Sequence, residues 1–301
     1  MNNIWIVGCG DIGRRVAALY NNQKRQKRDL RGRCTLQTLS NNVLLQGIVQ
    51  SASSKLICEQ ENIKTTTINL DESYSLSKEQ FKDAHIFYFA PPPSPGKTDP
   101  RLISFLKTIG DQAKRIVLIS TTGVYGDSQG EWIDETTETS PKADRAHRRL
   151  SAEHSLQNWA STHTKEFMIL RVPGIYAQDR LPLSRLQKGL AVVNADEAGW
   201  TNRIHADDLA QACEAAMHCE QSNEIINITD GNPSSMTDYF NQVADYAKLP
   251  RPPQISMKEA EATLSEGMVS YLKESRRIKN DKMLSYLNIT LQYPNLALAL
   301  K

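Results

Sequence analysis

Two short stretches of the chain combine ligand-binding residue types at telling intervals. The first is Gly8-Cys9-Gly10-Asp11-Ile12-Gly13, which follows the apolar run Ile4–Val7 and precedes a helical pattern, Arg14 to Tyr20. In that setting Gly8 permits a tight turn, Gly10 lets the main chain approach a pyrophosphate, and Gly13 lets the helix lie close to the strand. The helix N-terminus then offers N–H groups to the anion, so the whole run, Cys9, Asp11 and Ile12 included, is expected to hold a dinucleotide. The second stretch is Arg145-Ala-His-Arg-Arg149. A spacing of four puts Arg145 and Arg149 one turn apart on a single helix face. A guanidinium stays protonated, so this pair can donate hydrogen bonds to ribose hydroxyls or to an anion but cannot accept a proton.

Three further segments would finish a dinucleotide site. The end of the second strand reads the adenosine ribose, and an acidic residue there favours NAD. Here Val43–Val49 runs into Gln-Ser-Ala-Ser-Ser-Lys55 with no acid. Ser51 and Lys55, with Ser53 and Ser54 between them, suit a 2′-phosphate, so NAD(P) is expected with NADP(H) slightly favoured. Asp71, after Thr65–Leu70, is placed for an adenine contact. Ala90 and Pro91, where His85–Ala90 enters the stiff loop Pro91–Gly96, should flank the cofactor.

These residues need a scaffold that brings strand ends together. Strands alternating with helices along the first half (Ile4–Val7, Val43–Val49, Thr65–Leu70, His85–Ala90, Arg115–Ser120) imply an α/β fold with a doubly wound parallel sheet and ligands at the carboxyl ends of its strands. The chain has 301 residues, 40% of them hydrophobic, with a net charge of +2. That suffices for one large core or a core with a smaller appended lobe. The expected division is a dinucleotide-binding domain over 1–170 and a smaller C-terminal substrate lobe over 171–301, with 200–230 returning to pack on the first domain.

The apolar runs are too short for a membrane span, and the start lacks a signal-peptide layout, so a cytoplasmic protein is expected. Its five cysteines (Cys9, Cys34, Cys58, Cys213, Cys219) show no CxxC spacing and read as free thiols, with no metal site. A basic insert, Asn21 to Asn42, contains Lys24-Arg-Gln-Lys-Arg28, Arg31 and Arg33. Without interleaved aromatics it reads as a charged surface loop rather than a nucleic-acid contact. The expected partner is a small molecule, anionic on the strength of the arginines, and a homodimer is compatible with the sequence.

Several motifs in order resemble the extended short-chain dehydrogenases/reductases, the NAD-dependent epimerase/dehydratase family. They are GCGDIG at Gly8–Gly13, STTGVYGD at Ser120–Asp127, LRVPGIYA at Leu170–Ala177, NRIHADDLAQA at Asn202–Ala212, INITDGNPSSMTDYF at Ile226–Phe240, and ESRRIKNDKMLSYLNITLQYP at Glu274–Pro294. The resemblance implies a Rossmann-type fold and a Ser or Thr at position 121 that bonds the substrate oxygen. It also implies a Tyr-x-x-x-Lys pair that moves the proton and holds the nicotinamide ribose. Aligned on Leu150–Glu153, that pair falls on Arg145 and Arg149. The chain therefore looks like an atypical bacterial subgroup that keeps the cofactor motifs and lacks the Tyr and Lys.

Thr121, Arg145 and Arg149 are thus the expected catalytic residues, and an oxidoreductase or epimerase acting on a sugar-like or nucleotide-linked substrate by non-standard proton transfer is the leading reading. The alternative is a non-catalytic dinucleotide-binding sensor or scaffold. His147, Tyr125 and Tyr176 are the other candidates for proton transfer, although His147 points away from both arginines if the helix already includes it. Asp207 or Asp208 is expected to cap the next helix, with His205 packed beneath the sheet. Arg180, Arg185, Lys188, Arg203, Arg276 and Arg277 are candidates for gripping a diphosphate.

Overall fold

The computed structural model describes residues 2–21, 25–28, 34–37 and 43–301. Seven strands form one parallel sheet: β1 (Asn2–Val7), β2 (Val43–Val49), β3 (Lys64–Thr67), β4 (His85–Tyr88), β5 (Arg115–Thr121), β6 (Glu166–Val172) and β7 (Glu224–Asn227), in the order β7-β6-β5-β4-β1-β2-β3. The central strand shows why. Ile4, Trp5, Ile6 and Val7 are all buried, as a strand covered on both faces requires. It pairs with β2 in the register Ile6↔Gly47 and with β4 in the register Ile6↔Phe87. The strand order therefore reverses between β1 and β4, the kind of switch point beyond whose carboxyl ends open α/β sheets bind ligands.

Contact density divides the chain into two units. The first is Met1–Ile119, Ala152–Ile169 and Ala210–Glu224; the second is Ser120–Ser151, Leu170–Leu209 and Ile225–Lys301. In the first unit, α1 (Asp11–Asn21) buries Ile12, Val16, Ala17 and Tyr20, an apolar stripe at helical spacing. Helix α2 (Ala52–Gln60) follows β2. Helix α3 (Pro100–Ile109) starts where Asp99 accepts a bond from the Leu102 N–H at 3.1 Å, and ends at Gly110, whose φ is 56°. Such an N-cap contributes about 1 kcal/mol. The guanidinium of Arg115 donates to Glu166 at 2.7 Å and to the Cys219 carbonyl at 2.8 Å, closing the end of α5 (Ala206–His218).

The second unit takes in the first turns of α4 (Asp144–His163) and several two-stranded pairs. Gly174–Tyr176 lies parallel to Arg203–His205, Val192–Val193 parallel to Gln254–Ile255, and Trp200–Thr201 antiparallel to Ser234–Ser235. Helix α6 (Met236–Tyr246) opens with a reciprocal cap between Ser235 and Asp238. Its Tyr239, Phe240 and Val243 pack with Tyr176, Leu186 and Val192 in one apolar cluster. Two short helices follow, α7 (Met257–Thr263) and α8 (Glu266–Leu272).

Of the basic insert 21–42, Lys24, Arg31 and Arg33 lie outside the described residues. Arg25–Arg28 and Cys34–Gln37 pair as an antiparallel hairpin. No described helix is long and apolar enough to cross a membrane.

Candidate functional site

The glycine run is a turn under three separate constraints. Gly8 has φ 83°, and a Cβ there would meet the Ala90 nitrogen at 2.4 Å and its Cα at 2.7 Å. Only glycine fits so close an approach of two backbones. A Cβ at Gly13 would meet Ile6 Cγ2 at 2.9 Å, so Gly13 sets how near α1 lies to β1. Gly10 differs from both, because a Cβ there would meet nothing within 4 Å. Its missing side chain leaves open space at the helix start, where a ligand can reach the backbone.

Main-chain bonding sorts the donors. The N–H groups of Gly8 and Cys9 both donate to the Ile48 carbonyl, at 2.9 and 3.0 Å, and that of Gly10 to the Gly8 carbonyl at 2.8 Å. Ile12 and Gly13, in the first turn of α1, have no acceptor for theirs among the described residues. A helix start with free N–H groups and the positive end of its dipole binds an anion. Asp11 stands in the same turn, and Arg15 meets its carboxylate at 2.9 Å, which offsets its repulsion of a phosphate. The residues fit a pyrophosphate. Cys9 is buried against Cys58, and burial pushes its thiol up, so it stays a neutral packing group.

Ser51 caps α2 by accepting from the Ser54 N–H at 3.2 Å, and its hydroxyl lies 2.9 Å from those of both Ser53 and Ser54. Lys55 turns toward Glu59 at 3.7 Å. Asp71 is held by Arg101, which donates through Nε at 2.6 Å and through a second nitrogen, and which also donates to the Pro91 carbonyl at 2.6 Å. The bridge holds the Asp71 carboxyl below the usual carboxylate range. Arg101 thus clamps the loops after β3 and β4 together, and nothing in the local sequence pattern singled it out. Ala90 is buried, its N–H on the Val7 carbonyl at 3.0 Å, and forms the wall against which Gly8 turns.

Thr121, at the end of β5, caps the single turn Thr122–Tyr125 by accepting from the Gly123 N–H at 3.2 Å. It lines a polar cleft of about 210 Å³ together with Arg145, Asn202, Tyr271, Glu274 and Arg276. Thr121 and Arg145, far apart in sequence, therefore face one space. The Arg145 guanidinium lies 5.9 Å from the Tyr271 ring centroid and donates a long bond, 3.4 Å, to the Gly267 carbonyl. Arg149 is half-buried on the same face of α4. Helix α4 starts at Asp144, so His147 already belongs to it and sits more than half a turn from both arginines.

The remaining candidates have structural partners. Tyr125 is buried, donates to Asn227 Oδ1 at 2.9 Å and lies under the Arg171 guanidinium at 4.7 Å; burial raises its phenol pKa. Tyr176 is buried too, donates to the Tyr293 carbonyl at 3.3 Å, and its pKa is likewise pushed up by burial. The expected cap at Asp207 or Asp208 takes another form. Asp208 accepts from the N–H groups of Gln292 and Tyr293, at 2.7 and 2.9 Å, and so pins the C-terminal segment. His205 Nδ1 receives the Asp207 N–H at 3.2 Å, and its ring stacks 3.8 Å from Tyr293. Sequence spacing could not reveal this, because the partner lies more than eighty residues further on.

Four of the six diphosphate candidates also have neighbours or exposures that set them apart from a cavity. Arg203 is buried over the Tyr239 ring at 4.3 Å and donates to Ser234 at 2.8 Å. Arg277 lies 5.4 Å from the rings of both Trp132 and Trp200, and Arg180 and Lys188 are exposed. Arg276 lines the polar cleft, but Glu274 meets it at 2.8 Å. Arg185 lines a second, apolar cavity. Much of that cavity's wall comes from α7, α8 and the turn between them, which the sequence pattern placed only in the lobe. The signal was an apolar residue at every fourth position, Ala260, Leu264, Met268 and Leu272.

Residues 100–229 match the model of the NAD dependent epimerase/dehydratase family. The chain shares its fold with several solved proteins. It matches a functionally unknown conserved protein from Silicibacter pomeroyi at 25% identity with a TM-score of 0.81, covering 100% of this chain and 97% of that one. It is similar to the UDP-glucuronic acid 4-epimerase of Bacillus cereus, solved with NAD (15% identity, TM-score 0.75, 99% and 95% covered), and to the UDP-glucose 4-epimerase of Thermotoga maritima, solved with UDP-glucose (16%, 0.75, 100% and 96%). No curated protein matches the chain in sequence.

Proposed function

We propose that this protein is an NAD(P)-dependent oxidoreductase or epimerase of the family, of the atypical kind whose catalytic Tyr and Lys are replaced by Arg145 and Arg149. The observation that carries the cofactor half is Gly10, a glycine required by neither turn geometry nor packing, beside the acceptor-free N–H groups of Ile12 and Gly13. The Bacillus cereus epimerase was solved in complex with NAD, which supports a dinucleotide as the ligand. The hydroxyls of Ser51, Ser53 and Ser54 make a 2′-phosphate acceptable, so NADP is the preferred form. A nicotinamide bound there supplies a hydride acceptor or donor.

The polar cleft supports turnover over a sensor or scaffold role, because it holds a titratable group beside the two motif residues. Thr121 orients the substrate oxygen through its hydroxyl. Arg145 cannot take the proton, but its charge stabilises an oxyanion as it develops. Tyr271, next to Arg145 and in the same cleft, takes the place of the missing tyrosine as the group that exchanges the proton. The cytoplasm is the proposed compartment.

Calorimetric titration with NADH, NADPH and their oxidised forms tests the cofactor half, with Gly10→Ala as the control. Binding that the substitution abolishes is the expected result. Failure of all four to bind would end this reading.

A further inference from the structure

The apolar cavity encloses about 390 Å³ and shares Arg145, Thr201 and Tyr271 with the polar cleft. This is within the range of small-ligand sites. Its walls are aliphatic and aromatic, with Val192, Phe240, Leu264 and Met268 prominent, and no Asp or Glu lines it. Two arginines do. Arg185 lies over the Phe240 ring at 5.3 Å and donates to the Ala191 carbonyl at 3.0 Å, while its buried Nε has no acceptor. Arg145 has the long bond to Gly267 described above. Among the described residues, neither guanidinium meets a carboxylate within 4.0 Å.

Arg185 is half-buried, and the desolvation of its acceptor-less Nε is a cost that an anion in the cavity would offset, while Arg145, exposed at the cavity's edge, presents an accessible charge to the same anion. Arg276, in the neighbouring cleft, shows the contrasting arrangement, since its own chain supplies Glu274. The two threonine hydroxyls of the cavity already donate elsewhere, Thr201 to the Ser234 carbonyl at 2.7 Å and Thr237 to the Val193 carbonyl at 2.5 Å. We infer that this cavity binds an organic acid with an apolar body, its carboxylate on Arg145 and its hydrocarbon part between Phe240 and Met268. The acid replaces the nucleotide half of a sugar-nucleotide as the recognised group. Arg145 borders both spaces, so an oxygen-bearing carbon near the carboxylate lies toward Thr121. That last point rests on the proposed function, whereas binding of the acid does not.

The test is calorimetric titration of the full chain with 4-phenylbutyrate, 4-phenylbutanol and UDP-glucose. The acid is expected to bind at least about tenfold tighter than the alcohol, since a charge-assisted bond separates them. Arg145→Gln should bring the acid down to the alcohol's affinity, and Met268→Asp, at a half-exposed wall position, should weaken both. Equal affinity for acid and alcohol, an Arg145→Gln protein that binds the acid unchanged, or UDP-glucose binding more tightly than the acid would each overturn the inference. Titrations of the same proteins with NADH, NADPH and their oxidised forms separate the two ideas. Acid binding without binding of any of the four would refute the proposed function alone, and dinucleotide binding without acid binding would refute this inference alone.

Discussion

Replacing each glycine of the turn by alanine, one at a time, should separate architecture from ligand binding. At Gly8 the new methyl group would stand 2.4 Å from the Ala90 nitrogen, in a backbone with φ 83°. The left-handed conformation costs alanine about 1–2 kcal/mol, and overlap between two backbones, which cannot rotate away, adds a similar amount. A loss of about 3 kcal/mol lowers Tm by about 6–12 °C in a domain of this size. At Gly13 the one tight contact of the methyl is with the Ile6 side chain, 2.9 Å away, and a shift of that side chain limits the cost to about 1–2 kcal/mol. At Gly10 nothing lies within 4 Å, so stability should stay within about 0.5 kcal/mol of the original. The same methyl should nonetheless weaken dinucleotide binding by more than about tenfold, because it fills the space the pyrophosphate needs. Thermal melts and calorimetric titration on the three variants give both readouts. If Gly10→Ala melts as early as Gly8→Ala, or binds NAD(P)H as well as the unmodified protein, the reasoning fails.

Other outcomes follow from the titratable groups. Burial pushes the Asp230 carboxyl up to about 7, with Arg203 nearby pulling the other way. The folded chain therefore holds a proton there that the unfolded chain releases near pH 4. Stability from this group is greatest below pH 4 and declines up to about pH 7, with a slope of at most about 1.4 kcal/mol per pH unit, and then levels off. Denaturant melts of Asp230→Asn should lose that slope, and an identical pH profile would contradict it. Tyr271→Phe should leave NAD(P)H affinity unchanged and lower turnover of any accepted hydroxy acid by about 100-fold or more, seen in NAD(P)H absorbance; undiminished turnover would remove Tyr271 from proton transfer. Cys9, Cys58 and Cys213 are buried with raised thiol pKa values, so iodoacetamide should label them only after unfolding, as mass spectrometry of digests will read out.

The sheet and the turn at its centre follow from residues close together along the chain. Buried parallel strands need continuous apolar runs such as Ile4–Val7, and a GxGxxG leaving such a strand has few structural solutions, so both were legible as local pattern. The family match over residues 100–229 was legible for the same reason, since its motifs lie at strand ends with fixed neighbours. What local pattern could not supply was the partner of each charged side chain. Asp71 read as an adenine contact, yet its carboxylate belongs to Arg101, thirty residues on. Asp208 read as a helix cap, yet it holds Gln292 and Tyr293. Tertiary structure alone showed that, of the arginines proposed for an anion, Arg145 and Arg185 border an apolar cavity without an acid, while Arg276 already has one. A hydrophobic period shows in a dozen neighbouring residues, whereas an ion pair depends on where two distant segments meet. The fold could therefore be read in advance, and the choice of ligand waited on the packing.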